Sequence, residues 1–284
     1  MTYPIPFDER DLKLKAIQMR RDIVEETFAA GSGHPGGALS ATDLFVVLYN
    51  CILHHDPSNP KLETRDRFIL SKAHISPAYY SILARMGYFD PKELLTFRKL
   101  GSFLQGHPKS DLERGIEIGG GSLGQNLSVA TGLALGLKKR KSASRVFDMS
   151  SEGELQEGSM WEAIMAAAHY HLNNLCIIVD NNGLQIDGKN EDVMTVYPLD
   201  KKFEAFNWNV INIDGHDLKQ IYDAFKIFEK NSLDSTRPTA IIAKTIKGKG
   251  ISFMENVAGW HGKAPNKDEH AIAMKELDEQ MTKI

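Results

Sequence analysis

Apolar positions follow two rhythms along this chain. Over 8–29, Leu12, Ile17, Ile23, Val24 and Phe28 fall among charged residues at helical spacing, which predicts an amphipathic helix stopped by Gly31-Ser32-Gly33. Short apolar runs at 146–149 and 175–179 predict buried strands, and 67–70, 209–213 and 239–246 read as further strands. Between them lie helical patterns: from Ser40-Ala41-Thr42-Asp43 to about Leu53, near 77–87 and 91–99, over 125–138, from Leu155 through Trp161, Ile164, Met165 and Ala168, near 217–230, and over 268–282. The stretch 33–37 is rich enough in Gly and Pro to predict a loop. Strands alternating with helices predict an α/β fold: a parallel sheet with helices on both faces. No Pro/Ser-rich linker interrupts it, so residues 1–284 are expected to form one domain.

Composition removes several classes of function. A formal charge of −3 gives no case for nucleic acid or an acidic membrane surface. No apolar run reaches membrane-spanning length, and the N-terminus has no signal-peptide pattern. Cys51 and Cys176 are the only cysteines, and Cys176 lies in an apolar run, which fits reduced thiols. The expectation is a cytoplasmic protein.

The chemistry concentrates between Ser151 and Gly188. Two adjacent parallel strands ending near 149 and 179 would bring Glu152 and Asn182 together at the carboxyl edge of the sheet, where open α/β folds bind ligands. One carboxylate, one amide oxygen and a nearby backbone carbonyl suit a hard divalent cation, and magnesium held this way completes its shell with phosphate oxygens and water. Gly153 would let backbone approach an anion, and a helix start after it would present N–H groups. Taken singly, Glu152 is a helix-start acid and Asn182 a turn former; together they point to a ligand site. His34, His74 and His107 sit in loops beside Gly or Pro, and with His261 they form a set of neutral-pH donors and acceptors. Zinc is the rival reading, without H-x-x-x-H or C-x-x-C spacing to support it. Gly119 to Gly124 fits the letters of a dinucleotide fingerprint but lacks its strand context. Lys244, Lys247 and Lys249 read equally as an anion site or a solvated loop.

Several separated motifs, in order, resemble the N-terminal half of transketolase: G-S-G-H-P-G-G at 31–37, S-K-A-H-I-S at 71–76, G-H-P at 106–108, G-S-L-G-Q at 121–125, S-E-G-E at 151–154 followed by D-N-N at 180–182, and K-T-I-K-G-K-G-I-S-F-M-E at 244–255. The resemblance implies the thiamine-diphosphate-binding fold, specifically its diphosphate-binding domain. It implies a metal held by Glu152, Asn182 and the Leu184 carbonyl. Gly153 and Glu154 would lie in the diphosphate turn, with His74 and His261 near the diphosphate and reacting centre. His34, His107 and His261 would bind substrate hydroxyls and shuttle protons. Gly121 and Leu123 would touch the aminopyrimidine and thiazolium rings, and Glu157 and Glu162 would relay protons at a subunit interface.

The sequence departs from that pattern in places. Ser151-Glu152-Gly153 stands where the family has G-D-G, and a longer carboxylate raises the question of magnesium against calcium. Ala73 and Asn126 replace glycines. The pyrimidine-binding and C-terminal domains have no counterpart, so the resemblance implies one half of a split transketolase. Its partner, a C-terminal subunit, would supply the pyrimidine-binding domain, and the pair would assemble as a heterotetramer of two and two. The expected activity is transfer of a two-carbon ketol unit from a ketose, a phosphate ester by default, to an aldose. Three rivals stand beside it: a 2-oxo acid decarboxylating component, a non-catalytic scaffold that lost its cofactor, and, on the Gly119–Gly124 letters alone, a nicotinamide-dependent dehydrogenase.

Overall fold

A computed structural model describes residues 3–284. The first half carries α1 (Glu9–Ala30), α2 (Pro35–Cys51), β1 (Arg67–Leu70), α3 (Ser76–Met86), α4 (Asn126–Lys139), β2 (Val146–Ser151) and α5 (Gly158–His169). Then follow β3 (Leu175–Asn181), the short β4 (Leu184–Gln185) and β5 (Gly188–Lys189), α6 (Asn190–Val193), α7 (Leu199–Ala205), β6 (Asn209–Asp214), α8 (Leu218–Asp234), β7 (Thr239–Lys244) and α9 (Lys267–Met281). Five strands form one sheet in the order β1-β2-β3-β7-β6, and every neighbouring pair is parallel. β4 and β5 form a separate antiparallel ribbon.

The continuous apolar runs are explained by burial on both faces. Phe147, Met149, Cys176, Ile178, Ile241 and Ala243 point into a core shared with α1, α2, α3, α8 and α9. Their alternates Val146, Leu175, Ile177, Val179, Ala240 and Ile242 point into a second core under α4, α5 and α7. Period-two side-chain alternation thus divides each strand between two layers of helices.

Three local expectations are corrected. The Gly/Pro-rich stretch at 33–37 is not a loop: α2 begins at Pro35, several residues before Ser40. Proline at the first helical position gives up no intrahelical hydrogen bond, and its fixed φ suits the helix. The second correction concerns 91–99, where only a 3-10 segment, Pro91–Thr96, forms. Third, the helix expected from Leu155 starts at Gly158, after a 3-10 turn over Glu154–Gln156, because Glu157 is extended with φ −76° and ψ 131°. Gly153 itself has φ −63°, which any residue adopts, and little crowds its α-carbon.

Helix α1 buries an unusual amount of polarity. Glu26 is fully buried, and neither carboxylate oxygen has a hydrogen-bond partner among the described residues. Burial, with Asp22 adding to it, pushes its carboxyl well above the usual range. The folded state therefore favours protonated Glu26, so this residue's contribution to stability is lost as pH rises from the ordinary carboxylate range through the folded pKa. Glu26→Met, which removes two unsatisfied oxygens, is expected to stabilise the chain by about 1–3 kcal/mol. The gain should be larger at pH 8 than at pH 4, as urea denaturation at the two pH values would measure.

Candidate cofactor and substrate site

The chain crosses the sheet in one direction through β1, β2 and β3, and in the other from β6 to β7. Right-handed crossovers then place α5 and α8 on opposite faces, as their membership of the two cores shows. The reversal falls between β3 and β7, and a crevice opens at their carboxyl ends. A pocket of about 720 Å³ occupies it, lined by Asn182, Leu184, Tyr197, Lys244, Thr245 and Ile246 among others.

At its floor lies the turn singled out by the sequence. The β2–β3 register pairs Ser151 with Asp180 and so brings Glu152 beside Asn182. Glu152 is buried and accepts hydrogen bonds from Asn182 N at 3.0 Å, from Asn190 Nδ2 at 2.7 Å and from Gly183 N. Its extra methylene thus reaches over the 182–190 turn and clasps it. Asn182 Oδ1 accepts from Leu184 N at 3.2 Å, and the Leu184 carbonyl accepts from Lys247 Nζ at 3.2 Å. The three expected metal-ligand residues therefore lie together, Glu152 bonded across to the turn that carries Asn182 and Leu184. Burial and the neighbouring Asp180 raise the Glu152 carboxyl to about 7, so the turn is short of positive charge. Glu152 Oε2 has only one protein donor, which leaves acceptor capacity on a hard oxygen. These residues fit a hard divalent cation. Among the described residues no group of three His, Cys, Asp or Glu side chains can hold a metal unaided, so such a cation would need amide and carbonyl oxygens and oxygens of a bound ligand.

Two buried lysines flank the turn. Lys72 pairs with Asp180, which also accepts from Ser40 Oγ at 2.6 Å and from Thr245 Oγ1. Burial alone would raise the Asp180 carboxyl, but Lys72 and the hydroxyls outweigh it and hold it below the usual range. Lys247, 2 % exposed, corrects the reading of a solvated basic loop. Burial and Lys72 lower its ammonium to about 8, and its Nζ lies 3.1 Å from His261 Nδ1. Sequence reading missed a further strut: Arg20 binds Asp43 at 2.6 Å, Asp43 takes His216 Nδ1 at 2.7 Å, and His216 Nε2 accepts from Ile246 N at 2.8 Å. These residues are separated along the chain, so no local pattern announces the relay that pins the 244–250 wall.

The four histidines from separate loops converge. Ring centroids lie 5.4 Å apart for His34 and His74, 5.5 Å for His34 and His261, 5.1 Å for His74 and His261, and 6.4 Å for His34 and His107. Burial, then neighbouring cations, lowers His34 to about 4 and His261 to about 3, and pushes His74 and His107 down as well. The cluster is therefore neutral at physiological pH, and among the described residues no group of three His, Cys, Asp or Glu side chains is placed to hold a metal by itself. Gly36 makes the convergence possible: a Cβ there would meet the Trp260 carbonyl at 2.7 Å, and the Gly36 carbonyl accepts from Gly248 N at 2.8 Å. The start of α2 thereby docks against the loop that carries His261.

The segment at 119–124 forms one rim and follows no strand, so the dinucleotide reading fails. Gly121, with φ 152°, lies beside His107, and Leu123 is partly exposed. Gly120 is sterically required, since a Cβ would meet Ala73 Cβ at 2.5 Å and Asn126 Nδ2 at 2.9 Å. The two replaced glycines of the motif pattern thus pack around one position, and Asn126 Nδ2 binds the Leu70 carbonyl at 3.0 Å. Glu154 is buried, with its carboxylate on Ser71 Oγ at 2.7 Å and Gly124 N at 2.9 Å. It braces this rim from behind. Glu157 holds the position before α5, beside Gly124 and without a side-chain capping bond, and Glu162 lies further along that helix; both are exposed.

Residues 13–281 match the family described as "Transketolase, thiamine diphosphate binding domain". The chain belongs to the transketolase family. A transketolase from Campylobacter jejuni superposes with a TM-score of 0.89 at 31% identity, covering 97% of this chain and 43% of that one. Human transketolase is 37% identical over 274 residues, again with only 42% of its length covered. Other transketolase relatives match end to end. One of the subunits of the apulose-4-phosphate transketolase of Actinobacillus succinogenes is 39% identical, over 98% of this chain and 99% of that protein. The 6-deoxy-6-sulfo-D-fructose transketolase subunit SqwG of a Clostridium species is 36% identical, over 95% and 97%.

Proposed function

We propose that this chain is the N-terminal, diphosphate-binding subunit of a two-chain transketolase that moves a two-carbon ketol unit from a ketose, a phosphate ester by default, to an aldose. The observation that carries the reading is the convergence of His34, His74, His107 and His261 beside a hard-oxygen turn at the switch point of a parallel sheet. Relatives of the same length that are named as subunits support a partner chain bearing the pyrimidine-binding domain. The assembly would be a heterotetramer of two and two, and the buried, unpaired thiols of Cys51 and Cys176 fit a cytoplasmic setting.

When bound, thiamine diphosphate supplies the carbon nucleophile that carries the ketol unit. Glu152, Asn182 and the Leu184 carbonyl would hold magnesium, or calcium given the longer carboxylate. Gly153 would leave room for the diphosphate, and Lys72, Lys247 and His74 would offset its charge. Gly121 and Leu123 offer backbone and an apolar side chain to the cofactor rings, braced by Glu154. Lys247 donates to His261 Nδ1, so the His261 proton resides on Nε2. Neutral His34, His107 and His261 can then orient sugar hydroxyls and take or give a proton without a standing positive charge. Glu157 and Glu162, exposed on α5, suit an interface proton relay.

Calorimetric titration of thiamine diphosphate with magnesium, on this chain and then on its complex with the partner, tests the reading. Binding that needs the partner is expected, followed by ketol transfer from ketose phosphates, apulose-4-phosphate included, and none from pyruvate. Ketol transfer by this chain alone would sink the two-chain assignment. Absence of cofactor binding in both states would leave a scaffold.

A further inference from the structure

We infer that Arg98 is a positioning residue of the histidine cluster: its guanidinium holds the His34 ring through Nδ1 and so fixes the proton on Nε2. Arg98 reaches the cluster through a loop shaped around it. Its backbone is left-handed, with φ 59°, a conformation an arginine rarely adopts. The bend is held by a hydrogen bond from Arg98 N to the Leu104 carbonyl at 2.8 Å. The side chain then passes over Gly106, where a Cβ would meet Arg98 Nε at 2.8 Å and its other guanidinium atoms at 2.9 Å. Ser76 Oγ, bonded to the Gly106 carbonyl at 2.8 Å, keeps that floor in place. At the end of this path one guanidinium nitrogen lies 3.5 Å from His34 Nδ1 and the other 3.3 Å from Ser32 Oγ.

The chemistry follows from the donor inventory. Guanidinium only donates, so His34 Nδ1 must accept, and a neutral ring then carries its hydrogen on Nε2. His34 Nε2 has no hydrogen-bond partner among the described residues and lies on the side of Gly262 and His261. Lys247 imposes the same tautomer on His261 from the opposite wall. A guanidinium and, below about pH 8, an ammonium thus aim two imidazole N–H groups at one space, where the oxygens of a polyhydroxylated ligand would accept. Backbone strain spent on a half-buried charge is characteristic of sites where orientation matters. The charged and titratable groups facing His34 are Arg98, His107, Lys247, His74 and His261, and burial with the cations disfavours its protonation.

That His34 meets substrate rests on the proposed function, but its tautomer is measurable without turnover. Nitrogen-15 NMR of the full chain labelled at histidine, with His34 assigned by its loss in His34→Gln, is expected to show unprotonated Nδ1 and protonated Nε2. Arg98→Met should yield a tautomer mixture and raise the His34 midpoint from about 4 toward the ordinary value. Gly106→Ala, which displaces the guanidinium without deleting it, should do the same and decides the matter if Arg98→Met fails to fold. In the assembled complex with thiamine diphosphate and magnesium, Arg98→Met should lower kcat/KM about tenfold. Added guanidinium ion should restore part of it. An unchanged His34 spectrum in the folded variants would overturn the inference. A complex that never transfers ketol units would instead overturn the proposed function.

Discussion

Lys72→Met is expected to destabilise the chain by about 3–5 kcal/mol, the usual cost of leaving one partner of a buried ion pair without the other. Lys72 and Asp180 are both essentially without solvent contact, with side-chain exposures of 1 % and 0 %. Asp180 sits at the end of β3, where Ser40 and Thr245 can still donate to it but, among the described residues, no other cation is bonded to it. Removing the ammonium leaves a carboxylate that must either stay charged in a dry site or take up a proton. The double variant Lys72→Met with Asp180→Asn should recover much of the loss, because hydroxyl donors satisfy an amide oxygen as readily. Urea denaturation of the single and double variants measures both effects. A loss below about 1 kcal/mol for Lys72→Met would mean that water reaches Asp180. The same pair joins β1 to the centre of the sheet, so the variant should also loosen the loop bearing His74.

Glu152→Ala is expected to weaken metal-dependent binding of thiamine diphosphate by the assembled complex about a hundredfold or more, since even supporting residues of metal sites cost tenfold to a hundredfold. The loss has two sources. One is the hard carboxylate oxygen. The other is the clasp, because Asn182 N, Gly183 N and Asn190 Nδ2 all lose their acceptor and the 182–190 turn loosens. Glu152→Asp separates them. The shorter side chain keeps the charge but does not span to Asn190, so it should bind magnesium while the 182–194 segment becomes more open to proteolysis. Calorimetry with magnesium, calcium and excess chelator, alongside limited proteolysis, gives the two readouts. Unchanged cofactor affinity in Glu152→Ala would remove Glu152 from the metal site.

Much of this arrangement is legible along the chain, and the exceptions share a cause. Glu152 and Asn182 could be paired because parallel neighbours are set by adjacent strand runs, whose register is a short-range inference. The start of α2 could not: a Gly-His-Pro-Gly-Gly run reads as loop, although Pro35 starts the helix and Gly36 lies against the Trp260 carbonyl. Lys247 reads equally as an anion site or a solvated loop because its neighbours in sequence are polar, whereas its burial is decided by α2, β4 and the loop of His261. Glu154 is a motif letter in sequence and a brace in space. Arg98 has no signal of its own except its distance of eight residues from a G-H-P motif, and the positive φ that aims it is invisible in a string of letters.

The α/β layering, the strands and the pairing of Glu152 with Asn182 could be read from the string of residues, because each depends on residue type and near neighbours; the four histidines stood out only through the resemblance to transketolase. Packing in three dimensions was needed to place the reversal of strand order between β3 and β7, to bring four loops from distant segments together there, and to recruit Lys72, Lys247, Arg98 and the Arg20–Asp43–His216 relay to hold them. The difference is one of range. Periodicity and turn chemistry act over a few residues, whereas burial, charge pairing and ring tautomers are set by whatever distant segment the fold packs against each group.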